Sequence, residues 1–200
     1  MHSYATNSAE RRYIPFFLAA LAIAGGYSIS LLLSGLGIKL PWWTPSADTM
    51  TLYGLIYWLF DRWIWRWHAL HYIGFVRVPD LNGEWHGEAR PTETDGVSRG
   101  LVSNTKLKVA IEQTWQSLCI TAETHQSRSR SSSASIRTEN GGVLEYQYIN
   151  EPFATAPATM EIHRGTASFV LSSDKLLLRG DYYSGRGRQN VGAIDLRRQK

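Results

Sequence analysis

The 200-residue chain has a single cysteine, Cys119, so no internal disulfide can close. Its fold must hold by burial and hydrogen bonding, as suits a reducing compartment. Charge is scarce as well, at 19% of residues against roughly 25% in soluble domains. The shortage is concentrated: from Tyr13 to Ile38 there is no Asp, Glu, Lys or Arg. Enzyme signatures are missing too, with no serine-hydrolase elbow, phosphate loop or metalloprotease motif. His68 and His71 stand three apart without Cys or carboxylate companions, which is a poor metal set. No catalytic residue, metal or cofactor is therefore expected. What the chain does have is aromatic surface, eight Trp, ten Tyr and six Phe, far too much for a disordered protein.

Residues 13–38, rising ~1.5 Å each, are long enough to cross a hydrocarbon core of ~30 Å. A cleaved signal peptide would carry an apolar stretch of only about 7–15 residues. The sequence thus predicts a tail over 1–12 and a first membrane helix over 13–38. Thr49 to Phe60 is also uncharged but too short to span alone. Joined to Asp61-Arg62-Trp63-Ile64-Trp65-Arg66-Trp67-His68 it gives a second helix over 49–76, whose basic, Trp-rich end settles at the headgroups. A helix lying flat on the bilayer is the alternative. Pro41 and Pro45 mark a loop over 39–48. Arg11 and Arg12 precede the first span, Arg62, Arg66 and Arg77 follow the second apolar stretch, and the loop has Lys39 alone. By the positive-inside rule the loop is periplasmic and both ends of the chain are cytoplasmic, in a bacterial inner membrane. Ala22, Gly26, Ser30 and Ser34 put a small residue on one helix face every four positions, which lets helices approach closely.

Residues 79–200 are nearly neutral, 15 Lys and Arg against 14 Asp and Glu. The surplus positive charge lies beside the membrane, which favours anionic lipid and argues against duplex nucleic acid as a partner. Period-two alternation between turn signals predicts eight strands, around Trp85, Val109, Ile120, Ile136, Tyr146, Phe169, Leu178 and Ile194. Ser127 to Ser135, with Arg128 and Arg130, reads as a polar hairpin or edge strand. The fold class expected is a transmembrane helical hairpin followed by an all-β domain, a small eight-stranded antiparallel, lipocalin-like barrel over 79–200. An open sandwich is the runner-up. Gly83-Glu84-Trp85 is similar to the motif that lipocalin-like barrels place at their closed end, where Arg197 or Arg198 would lie over Trp85.

Two strand faces that alternation turns inward are not aliphatic. Tyr146, Tyr148 and Asn150 share one; Tyr182, Ser184 and Arg186 share the other. Buried polar groups require partners. Either these residues satisfy one another as a polar core, or they ring a barrel mouth in which rings stack a base, Asn reads its edge and Arg holds a phosphate. The glycines of Gly185-Arg186-Gly187-Arg188 let backbone approach an anion, with Arg188 as a second candidate cation.

Two apolar helices, then Pro79-Asp80-Leu81-x-Gly83-x-Trp85-x-Gly87, Tyr146-x-Tyr148-x-Asn150-x-Pro152, His163-Arg164-Gly165-Thr166, and Gly180-x-Tyr182-x-Ser184-x-Arg186 before Gly192-x-Ile194-x-Leu196, together resemble the two-transmembrane, β-strand-rich effectors of bacterial CBASS anti-phage operons. The resemblance covers nearly the whole chain. It implies a minimal barrel that binds a cyclic oligonucleotide, a dinucleotide first, made by a cognate nucleotidyltransferase. It further implies homo-oligomerisation on activation, disruption of the inner membrane and abortive infection. The mapped ligand-binding residues are Tyr146, Tyr148, Asn150, Tyr182, Ser184, Arg186 and Arg188, with Ser184 where the family often has Thr. A membrane-tethered barrel that binds an apolar ligand or a protein, without killing, is the competing reading.

Overall fold

The computed structural model describes residues 1–38, 44–92, 104–157, 160–185 and 190–199, with the side chains of 44–47 and 140 outside that description. The chain forms two compact units, Met1–Asn7 with Val78–Lys200, and Ser8–Arg77. In chain order the elements are β1 (His2–Ser3), β2 (Ala5–Thr6), α1 (Glu10–Gly35), α2 (Thr44–Arg62), a 3-10 turn (Ile64–Arg66), α3 (His68–Tyr72), β3 (Gly83–Pro91), β4 (Thr105–Gln113), β5 (Ser117–Glu123), β6 (Ser127–Arg137), a 3-10 turn (Glu139–Gly141), β7 (Val143–Pro152), β8 (His163–Leu171), β9 (Leu177–Ser184) and β10 (Val191–Arg198).

In the helical unit, α1 is the one helix among the described residues long and apolar enough to cross a membrane. It begins at Glu10, inside the expected tail, and carries Phe16, Leu21, Ile23 and Leu32 exposed on its outer faces. The small-residue face is taken up within the chain. Ala22 and Gly26 are buried, and a Cβ on Gly26 would stand 2.7 Å from Thr49 Oγ1. Ser34 lies beyond that contact and is exposed. The expected loop lies partly outside the described residues, which resume at Thr44 already in α2. The single helix expected over 49–76 is instead three pieces. Trp63 and Trp67 leave helical geometry, with Trp67 extended at φ −62° and ψ 127°. The run Trp-Ile-Trp-Arg-Trp has weak helix propensity because aromatic and β-branched side chains lose rotamer freedom against the preceding turn. Farther on, the Tyr13 hydroxyl donates to Phe75 O at 2.6 Å, and the buried Glu10 carboxylate accepts the Arg77 N–H at 2.6 Å. Those bonds fasten the end of the helical unit to its beginning.

In the other unit, β3 through β10 pair antiparallel, each with its neighbour in sequence. β10 then pairs with β3 from Gly192–Pro91 to Arg198–Trp85, closing an eight-stranded barrel. The serine-rich segment is not a separate hairpin; it is β6, eleven residues long, with a bulge between Ser131 and Ser133. Residues expected in a tail instead line the wall: β1 pairs with the start of β5, and β2 runs parallel to the end of β6.

One end of the barrel is solid. Trp85 is fully buried, donates its indole N–H to Leu81 O at 3.0 Å, and lies 5.3 Å beneath the Arg198 guanidinium. Of the two arginines considered, Arg198 is the one over the ring. Gln113 holds residues 79–82 there, accepting the Leu81 N–H at 2.8 Å and donating to Pro79 O at 3.2 Å. Outward positions are polar as alternation requires, with Lys108 3.0 Å from Glu84 and Arg90 2.8 Å from Asp195. Because Trp85 fills the floor, Trp85→Ala should lower the unfolding free energy by about 3–5 kcal/mol. Arg198→Ala should cost about 0.5–2 kcal/mol. Denaturant titration of both variants checks this ranking, and equal losses would contradict it.

Candidate functional site

The opposite half of the barrel holds a cavity of about 180 Å³. It lies between the last residues of β3, β5, β7 and β9 and the first of β4, β6, β8 and β10. Five expected residues, Tyr146, Tyr148, Asn150, Tyr182 and Ser184, line it together. Arg186 and Arg188 lie outside the described residues, while Ser184 and Asn190 on either side of them both line the cavity.

Strand register explains why the rings fit. Tyr148 stands between Ser131 and Gly165, and Gly165 is opposite Ser184. Tyr146 is opposite Ala167, which is opposite Tyr182, which is opposite Gly192. Large side chains thus face small ones across the ladders. A Cβ on Gly165 would overlap the Tyr148 ring, and one on Gly192 would stand 2.7 Å from Tyr182 Cε1. Below, Tyr146 stacks on buried Phe169 with centroids 6.1 Å apart and planes 14° apart. Tyr148 leans over Tyr146 at 6.1 Å and 53°.

Polar groups complete the lining. Asn150, only 6% exposed, accepts the Ser129 hydroxyl through Oδ1 at 2.9 Å. Its NH2 group and the Tyr146 hydroxyl meet no partner among the described residues, so both are offered to the cavity. No Lys, Arg, Asp or Glu is among the described lining residues. The site as described stacks rings and forms hydrogen bonds; it carries no fixed charge.

Residues 76–198 match the family model of the Cap15 cyclic dinucleotide receptor domain, and residues 12–66 match that of the Cap15 TM helices. A CD-NTase-associated protein 15 from Yersinia aleksiciae is 34% identical over 149 residues, 72% of this chain and 66% of the relative. One from Staphylococcus schleiferi is 25% identical over 163 residues, 81% of this chain and 83% of the relative. The chain belongs to the Cap15 family. The cavity lies within the segment that matches the Cap15 receptor domain, and all of α1 but Glu10 and Arg11 lies within the segment that matches the Cap15 TM helices.

Sequence reasoning missed one wall of this Cap15 cavity. Thr124, Gln126, Ser127 and Ser129 line it from the β5–β6 hairpin, His163 lines it from the first position of β8, and Met160 lines it from just before that strand. The signal was present: Ser127, Ser129 and Ser131 alternate with Arg128 and Arg130, which is an inward face of small polar residues. His163 was visible only as part of a motif.

Burial, followed by the neighbouring Tyr148, pushes the Tyr146 phenol above its ordinary value near 10. The folded state therefore holds this proton more tightly than the unfolded chain does. Its contribution to stability is complete below about pH 10 and is lost as pH climbs above that. Tyr146→Phe removes this titration. Above about pH 10 the wild type should lose stability faster than the variant, by up to about 1.4 kcal/mol per pH unit. Denaturant melts across that range check it, and identical profiles would contradict it.

Proposed function

We propose that this chain is a CBASS anti-phage effector whose barrel is gated by a cyclic dinucleotide. The observation that carries the reading is a cavity, inside the segment matching a cyclic dinucleotide receptor domain, in which stacked aromatic rings adjoin hydrogen-bonding groups without described protein partners. A base inserts against Tyr146 and Tyr148, and Asn150 reads its edge, since an amide both donates and accepts. Tyr182 and Ser184 complete the wall. The cavity is smaller than the roughly 300–1,000 Å³ of drug-sized sites, so it takes one base while the phosphates remain at the mouth. Charge for the phosphates comes from the connection after Ser184, where Arg186 or Arg188 supplies a planar fork.

Binding drives homo-oligomerisation of the helices in the bacterial inner membrane and disrupts the bilayer, ending in abortive infection. The helices form a multi-pass anchor with the loop in the periplasm and the barrel in the cytoplasm, a reading supported by Arg11, Arg12, Arg62, Arg66 and Arg77 against Lys39 alone. The protein acts as a receptor and effector and not as an enzyme; its ligand comes from a cognate nucleotidyltransferase.

Calorimetric titration of the detergent-solubilised chain with cyclic di-AMP, cyclic di-GMP and cyclic GMP–AMP tests the receptor. The expected result is binding to one of them at about −8 kcal/mol or better, that is, micromolar or tighter. Asn150→Ala, which removes a buried hydrogen-bonding partner, should weaken that binding by about 1–3 kcal/mol. Leakage of dye from liposomes carrying the chain should follow the same ligand and the same variant. Binding without leakage would favour the non-killing tether, and silence across the panel would overturn the receptor.

A further inference from the structure

The barrel wall is incomplete without the first seven residues. β5 and β6 share only three register pairs, Thr121–Arg130, Ala122–Ser129 and Glu123–Arg128, whereas β3 and β4 share seven. That short ladder lies in the mouth half and carries Ala122 and Ser129 of the cavity lining. Toward the floor the two strands part, and the leading segment fills the gap. His2 and Ser3 pair with Leu118 and Ser117 of β5, and Ala5 and Thr6 pair with Ser135 and Ile136 of β6. Between them Tyr4 is buried and donates its hydroxyl to Trp115 O at 2.8 Å. Asn7 closes the far end, accepting the Thr138 N–H at 3.0 Å.

Ser131 sits where the strands fork. Its Oγ accepts the Ile120 N–H at 2.9 Å, a donor that β6 backbone no longer reaches, and lies 2.8 Å from His2 Nε2. Two positions along β6 on the same face, the Ser129 hydroxyl donates to Asn150 in the cavity. One file of serines therefore runs from the cavity to this strap. If the strap lifts, Leu118 and Ile136, both fully buried, meet water, and two strand edges lose their partners. The cavity wall is then held at the seam by three residue pairs.

We propose that the strap, residues 1–7, is a positioning element for the ligand: its seating in the β5–β6 seam and nucleotide binding are cooperative, with Tyr4 as the anchor and His2 as the contact to the fork. The inference rests on the receptor reading above. Coupling is reciprocal, so a bound nucleotide holds the strap down as firmly as the strap improves the site. After Ser8 and Ala9 the strap continues into α1, so the same chain segment that fills the β5–β6 gap on the floor side of the cavity leads directly into the long apolar helix.

The test uses the full chain in detergent and whichever of cyclic di-AMP, cyclic di-GMP or cyclic GMP–AMP binds the wild type. Tyr4→Ala should weaken binding about tenfold or more, within the range of typical coupling energies. Tyr4→Phe, which keeps the ring, should restore most of the affinity. Amide hydrogens of residues 3–6 should exchange more slowly with ligand bound, a change that a purely structural strap would not show. Equal affinity in wild type and Tyr4→Ala, or strap exchange indifferent to ligand, would overturn the proposal while leaving the receptor standing. A wild type that binds no member of the panel would remove the receptor reading and this inference with it. Should Tyr4→Ala not fold, His2→Ala supplies the same comparison at a half-exposed position, again with weaker binding expected and equal binding contradicting it.

Discussion

The ladder that joins β10 to β3 is the contact on which the rest of the barrel unit depends. Seven register pairs, from Gly192–Pro91 to Arg198–Trp85, turn an eight-stranded sheet into a closed wall with an inside. Closure removes the two edges of the sheet and makes inward alternation a packing problem with a fixed diameter. At one end that problem is solved by bulk, with Trp85, Leu178, Leu196 and Ile136 fully buried. At the other it is left partly open, because glycine and alanine at 165, 167 and 192 stand opposite tyrosines and give the rings room inside the wall. The same strands therefore provide a solid floor and a cavity, divided by where large side chains stop meeting large ones.

Much of this was legible in the sequence, since a strand buried on one face must alternate and these do. Eight strands, the floor tryptophan and the inward faces of Tyr146, Tyr148, Asn150, Tyr182 and Ser184 follow from a period of two and from turn residues between runs. The serine-rich strand was harder to read because its inward residues are small and polar, so its two faces differ little in hydropathy. Seating of residues 2–6 in the wall was illegible: two residues per strand is too short for any period, and their partners lie more than a hundred residues away. The break after Arg62 was obscured by tryptophans, which suit a membrane interface in a helix or a turn alike. Arg186 and Arg188, named from the sequence for the phosphate, lie outside the described residues, and their role stays with the proposal.

The two units are joined through two stretches of chain, Asn7–Ser8 and Arg77–Val78. Within the helical unit the residues next to those junctions are bonded to each other through the Glu10 carboxylate and the Arg77 N–H. The segment that matches the receptor domain is thus attached to the helical unit at both ends of the helical segment. One attachment is the strap that fills the β5–β6 gap on the floor side of the cavity. The other leads through Pro79 and Leu81 to the floor, where Gln113 and Trp85 hold it by hydrogen bonds. The barrel unit therefore has two covalent connections to the helical unit, one through the strap and one through the floor.

The proposed function requires that the interior of the barrel, and not its outer surface, receives the nucleotide. Isotope-filtered NMR of the tyrosine-labelled full chain with a bound cyclic dinucleotide distinguishes the two. Cross-relaxation from base protons to the rings of Tyr146 and Tyr148, with none to outward-facing Tyr183, is the predicted result. Contacts to Tyr183 with silent interior rings would contradict it and move the ligand to the outside of the wall.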